Sequence, residues 1–140
     1  MRKLTTSVRL DDQLREQLTA ASAAEGVTVT ELIERYVREG MACAAHPGIV
    51  FKPGPSGRRA ALAGGPDVWE VVAALRHVPG SEAERIAVLA EELGLHERQV
   101  VMALNYAGAH REEVEARVRA NDRALEEAER VADERDRLLA

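Results

Sequence analysis

Between Lys3 and Leu10 the chain alternates, with Leu4, Thr6, Val8 and Leu10 on one face of an extended segment and Lys3, Thr5, Ser7 and Arg9 on the other. Its β-branched content predicts one short strand with an apolar underside. The period then becomes helical. Leu14, Leu18 and Ala21 form a stripe behind Asp11, a good N-cap, and the stripe stops at Gly26, a natural left-handed closing residue, so the pattern predicts a helix over 12–25. Thr28-Val29-Thr30-Glu31 reads as a capping box ahead of Leu32, Ile33, Tyr36 and Val37, predicting a second helix over 29–42.

Small residues followed by Pro47 and Gly48 break that pattern and mark a boundary. Ile49–Phe51 and Arg58–Leu62 flank Lys52-Pro53-Gly54-Pro55-Ser56-Gly57, which predicts a β-hairpin with a basic tip. Val68, Trp69, Val71, Val72, Leu75 and Val78 then recur at helical spacing, with Trp69 as a core anchor rather than a ligand platform. Ser81-Glu82-Ala83-Glu84 is a second capping box, opening a helix with Ile86, Leu89 and Ala90 inside. Gly94 turns that helix into another bearing Val100, Val101, Leu104 and Tyr106. From Glu112 to Ala140 there is neither Gly nor Pro, and one long helix is expected.

A chain of 140 residues makes one ordinary domain or two very small ones, and very small units bury too little surface to be stable alone. Apolar residues make up 46% of the chain but aromatics only 3%, so Ala, Leu and Val dominate and favour helix. The single Cys43 excludes an internal disulfide. The N-terminus lacks the apolar run of a signal peptide, and no run of about 18 apolar residues occurs, so a soluble, cytoplasmic protein with no membrane partner is expected. The net charge of −5 argues against coating nucleic acid over the whole surface. By segment the charge is −1 over 1–45, +3 over 46–65, −4 over 66–108 and −3 over 109–140. Any DNA contact is therefore local.

One strand with two bare edges and two short amphipathic helices cannot bury a core, and an unpaired edge invites association. The strand calls for its counterpart in a second copy. Strand, Asp-capped helix, then Gly26-Val27-Thr28-x-Thr30-Glu31 opening the next helix resembles the MetJ/Arc/CopG ribbon-helix-helix family over about a third of the chain. The resemblance implies a homodimer whose paired strands enter the major groove of double-stranded operator DNA. It makes Thr5, Ser7 and Arg9 the base-contacting residues, with Arg9 the strongest discriminator. Arg2, Lys3 and the first-turn positions Thr28, Val29 and Thr30 become phosphate contacts. Val8, Leu10, Leu14, Leu18, Leu32, Ile33, Tyr36 and Val37 become the dimer core. The competing reading is a solvated strand face and a plain helix cap.

The middle of the chain, from His46-Pro47-Gly48-Ile49-Val50 through Pro66-Asp67-Val68-Trp69-Glu70 to Leu93-Gly94-Leu95 and Val101-x-Ala103-Leu104-x-Tyr106-Ala107, resembles a small winged-helix-like antitoxin domain paired with PIN-like toxins. Glu97, Arg98 and Gln99 would open its recognition helix. Glu91, Glu92 and Glu97 make phosphate repulsion the objection, and a dimerisation or toxin-docking role is preferred to a second DNA reader. The same resemblance assigns the distal helix to toxin capture, with Val118, Leu125, Val131 and Leu138 as anchors beside Arg119. Arg117, Arg119, Arg123 and Arg130 are candidates to neutralise an acidic ribonuclease site. A solvated helix laced with ion pairs is the alternative.

His46, His77, His96 and His110 lack metal-ligand spacing, and neither a phosphate-binding loop nor a nucleophile elbow occurs. No metal, no cofactor and no enzymatic activity are expected. The fold expectation is mainly α: a ribbon-helix-helix module over 1–43, a β-hairpin plus helix-turn-helix-like module over 44–108, and a C-terminal partner-binding helix over 109–140. The functional expectation is an operator-binding repressor acting as the antitoxin of a type II toxin–antitoxin pair. A dimeric scaffold and a regulator without a toxin are the alternatives.

Overall fold

The computed structural model describes residues 2–140. Six helices and one two-stranded sheet follow in the order α1 (Asp12–Glu25), α2 (Val29–Ala45), β1 (Ile49–Lys52), β2 (Arg59–Leu62), α3 (Val68–Leu75), α4 (Glu82–Leu93), α5 (Glu97–Ala109) and α6 (Arg111–Leu139). The fold is mainly helical, and the chain divides into two compact units, one ending at Met41 and one running Ala42–Ala140. No described helix is long and apolar enough to cross a membrane.

In the first unit each helix end has a local cause. The Asp11 carboxylate accepts from the Leu14 N–H at 2.7 Å and starts α1. Gly26, at φ 68°, closes it by donating its N–H to Ser22 O. The Ser22 hydroxyl donates to Val27 O across the same turn. Among the described residues of this unit, the buried apolar side chains are Leu18 and Leu32. Residues 2–11 form no strand in the single chain, in contrast to the alternation at Lys3–Leu10. A strand exists only through its ladder, and the chain offers this segment no second strand.

The second unit has a continuous core. β1 and β2 pair antiparallel with Ile49 opposite Leu62 and Lys52 opposite Arg59. Ile49, Leu62, Val68, Val71, Leu89, Val100, Ala103 and Tyr106 fill the space between the hairpin and α3–α5. The helical spacing at Val68–Val78 predicts a longer helix than is formed. α3 stops at Leu75 because Val78 precedes Pro79, which disfavours helical backbone there. Arg85 of α4 closes the break, donating from Nε to Val78 O at 2.7 Å and from Nη2 to Leu75 O at 2.9 Å. Gly94, at φ 64°, turns α4 into α5. α6 belongs to this core at its start, where Val114 and Val118 are buried. Arg76, the residue that closes α3, grips Asp122 through two 3.0 Å hydrogen bonds.

Candidate nucleic-acid interface

The residues of interest in the first unit lie before and between its helices. Thr5, Ser7 and Arg9 are all exposed, as are Arg2 and Lys3. On the other side of that segment, Leu4 is 77% exposed and Val8 67%. Among the dimer-core positions, Leu18 and Leu32 are buried and Ile33 half-buried. Leu10, Leu14, Tyr36 and Val37 stay exposed in the single chain.

The turn into α2 holds an anion-binding geometry already in use by a carboxylate. The Thr28 N–H donates to Glu31 Oε2 at 2.7 Å, and the Glu31 N–H donates to Thr28 Oγ1 at 3.1 Å. The Thr28 backbone N–H, with its hydroxyl and Lys3 adding to it, holds the Glu31 carboxyl below the usual carboxylate range. This corrects the expectation for Thr28, whose N–H is engaged. The N–H groups of Val29 and Thr30 sit in the first turn, where a helix has no acceptor for them. Arg35 ties α2 to the end of α1 by a two-point pair with Glu25 at 2.8 and 3.0 Å, and its guanidinium lies 5.1 Å from the Tyr36 ring centre. The Glu25 hydrogen bonds raise its pKa against the opposing effect of burial. Lys3 Nζ lies 3.0 and 3.3 Å from the two oxygens of Glu34.

The second unit has fewer free cations than its composition suggests. Lys52 donates to Gly65 O at 2.9 Å, and Arg59 donates to Pro53 O at 2.8 Å and to the buried Asp67 carboxylate. The hairpin's basic residues thus brace the hairpin. Asp67 also accepts from Trp69 Nε1 at 3.1 Å, while the Asp67 N–H donates to Glu70. Sequence reasoning missed this N-cap, which the spacing Asp67-x-x-Glu70 before an apolar run could have signalled; nothing in the sequence pairs it with Arg59. Tyr106 is buried, stacks on His110 at 4.3 Å and meets His46 and Phe51 edge-on. Burial, and then the Glu113 carboxylate that accepts from its hydroxyl at 3.2 Å, push the Tyr106 phenol up. That cluster joins residues 60 positions apart, beyond the reach of periodicity.

The anchors on α6 separate into two groups. Val118 is 6% exposed within its own chain, so it is unavailable to a partner, and the helical spacing could not show that α6 begins inside the core. Leu125, Val131 and Leu138 are exposed. Among the arginines, Arg117 is tied to Ser56 Oγ and Arg58 O, and Arg130 pairs with Glu127. Arg119 and Arg123 are exposed. No group of three or more His, Cys, Asp or Glu among the described residues is arranged to hold a metal ion.

No curated protein and no solved structure matches the chain. Residues 5–42 match the family model described as ribbon-helix-helix protein, copG family, a span of about a quarter of the chain that takes in the exposed segment, α1 and most of α2. The match supports the ribbon-helix-helix DNA-binding type for this N-terminal segment, the type of a DNA-binding transcriptional regulator.

Proposed function

We propose that the protein is a homodimeric, sequence-specific DNA-binding repressor whose Thr5, Ser7 and Arg9 face base edges from a ribbon formed by two copies. The reading is carried by the family match over residues 5–42. The exposed apolar underside of the same segment supports it, since a second copy supplies the missing ladder from its own strand and, with its helices, cover for Leu4, Val8 and Leu10. Arg2, Lys3, Val29 and Thr30 provide phosphate contacts that position the ribbon without reading sequence.

The test is titration of the intact protein against DNA from its own upstream region and against random duplex. Arg9→Ala removes one bidentate guanine contact from each copy, about 1–3 kcal/mol apiece, and so lowers the preference for the specific site about 30-fold or more. Equal binding of both duplexes by the wild type, or no change in Arg9→Ala, rejects the strand readout.

The repressor is further read as the antitoxin of a type II pair that represses its own operon and neutralises a PIN-like ribonuclease. The support is the solvent-lined end of α6, where Leu125, Val131 and Leu138 have no cover and acidic and basic residues alternate around them. Co-expression with a PIN-like toxin encoded beside it checks this. Leu125→Asp with Val131→Asp abolishes growth rescue and leaves operator binding intact, and undiminished rescue refutes the assignment.

A further inference from the structure

The contact between Lys3 and Glu34 bears on how tightly the N-terminal segment can hold DNA. Both oxygens of Glu34 lie within hydrogen-bond reach of Lys3 Nζ, at 3.0 and 3.3 Å. The two residues are 31 positions apart, so the contact reflects the fold of the unit rather than chain neighbourhood. Glu31 stands one turn earlier on α2 and also feels the Lys3 charge. The Glu34 carboxylate therefore attends the ammonium near the first turn of α2, where an incoming phosphate would be received.

We propose that Glu34 is an affinity-limiting residue for DNA: it occupies Lys3 in the single chain, keeps that hold in the DNA-free dimer, and must be displaced by a phosphate. The inference rests on the reading of Lys3 as a phosphate contact. An ammonium has three donors but one charge, and a carboxylate in two-point contact satisfies that charge as well as a phosphate oxygen does. DNA binding then exchanges one ion pair for another instead of gaining one. The pair is solvent-exposed, with Lys3 at 81% and Glu34 at 40%, so the brake is modest and sensitive to salt.

Operator affinity of the full chain, measured for the wild type, Glu34→Gln, Lys3→Ala and the double variant at low and high salt, tests the brake. Glutamine keeps the shape of the side chain and removes its charge. Glu34→Gln binds about two- to fivefold tighter at about 50 mM salt, and the gain fades near 0.5 M as screening shortens to a few ångströms. In the Lys3→Ala background the same substitution gives no gain, which separates release of Lys3 from the general effect of removing one negative charge. Selective wild-type binding that Glu34→Gln leaves unchanged, or a gain that persists in full without Lys3, overturns the brake alone. Absence of selective binding by every variant overturns the DNA reading and the brake with it.

Discussion

Val37 gives the sharpest handle on the proposed dimer. It lies on α2 beyond the buried Leu32 and is 56% exposed in the single chain. Full burial of a valine side chain contributes about 1.5–2 kcal/mol, so covering the exposed part adds about 1 kcal/mol per protomer and about 2 kcal/mol per two-fold dimer. Val37→Ala removes most of that and weakens dimerisation roughly 20-fold at about 1.4 kcal/mol per decade. Val37→Glu also places two carboxylates in the interface and leaves a monomer at micromolar concentration.

The monomer has a further signature. With Leu18 and Leu32 as its buried apolar side chains, the first unit has no core of its own, and α1 and α2 hold about a third of the helical residues. Sedimentation velocity across a dilution series, paired with far-UV circular dichroism, reads both consequences: Val37→Glu sediments as a monomer and loses about a third of the helical signal. A Val37→Glu variant that remains dimeric with its helicity intact refutes the argument, because Val37 would then lie outside the interface and the unit would need no partner.

Asp67→Ala leaves Arg59 Nε and Trp69 Nε1 without their acceptor in a 6%-exposed site; a loss of about 3 kcal/mol lowers the melting temperature of the second unit by about 10–20 °C in calorimetry. Glu31 and Glu84 are both held below the ordinary value of 4.5, first by the backbone N–H groups of Thr28 and Ser81. Their stabilisation is therefore complete above that value and lost as pH falls through the lower folded values, and a pH series of thermal melts on Glu84→Gln shows a shallower acid limb than the wild type. Arg2, Lys3 and Arg9 give a dimer six cations in its paired strands, so a plot of log binding constant against log salt has a slope no steeper than about −5, and a slope near −10 refutes confinement of the contact to those strands.

Local rules carried much of the fold. Asp11, Gly26, the Thr28–Glu31 box, the Ser81–Glu84 box and Gly94 each act within a few residues, and each sits where its chemistry requires. The same holds for the hairpin, whose Pro and Gly residues turn the chain between β1 and β2. Long-range pairings were not legible. Periodicity placed Val118 on an apolar face but could not distinguish the core of its own chain from a partner's groove. Charge counting made the hairpin tip look basic, yet Arg59 and Lys52 are engaged by Asp67 and Gly65, residues brought to them by the turn before α3. The N-terminal segment is the converse case. Its alternation is plain in the sequence, but the second strand that would pair with it belongs to no part of the same chain.

That division has a physical logic. In the second unit, buried side chains form a continuous core, and Lys52, Arg59, Arg76, Arg85 and Arg117 all close hydrogen bonds within it. The −4 charge of residues 66–108 already counts Arg76 and Arg85, so that segment opposes phosphate approach. The first ten residues carry three cations and no carboxylate, on a segment whose apolar side is left uncovered. Local positive charge and incomplete burial coincide there. Covering the apolar side with a second copy would double the cations at the same place, so the event that completes the core would also assemble the charge that draws DNA. On the proposed reading, in a chain of net charge −5 that coupling would confine DNA attraction to the dimer, and Glu34 would limit how much of it Lys3 delivers.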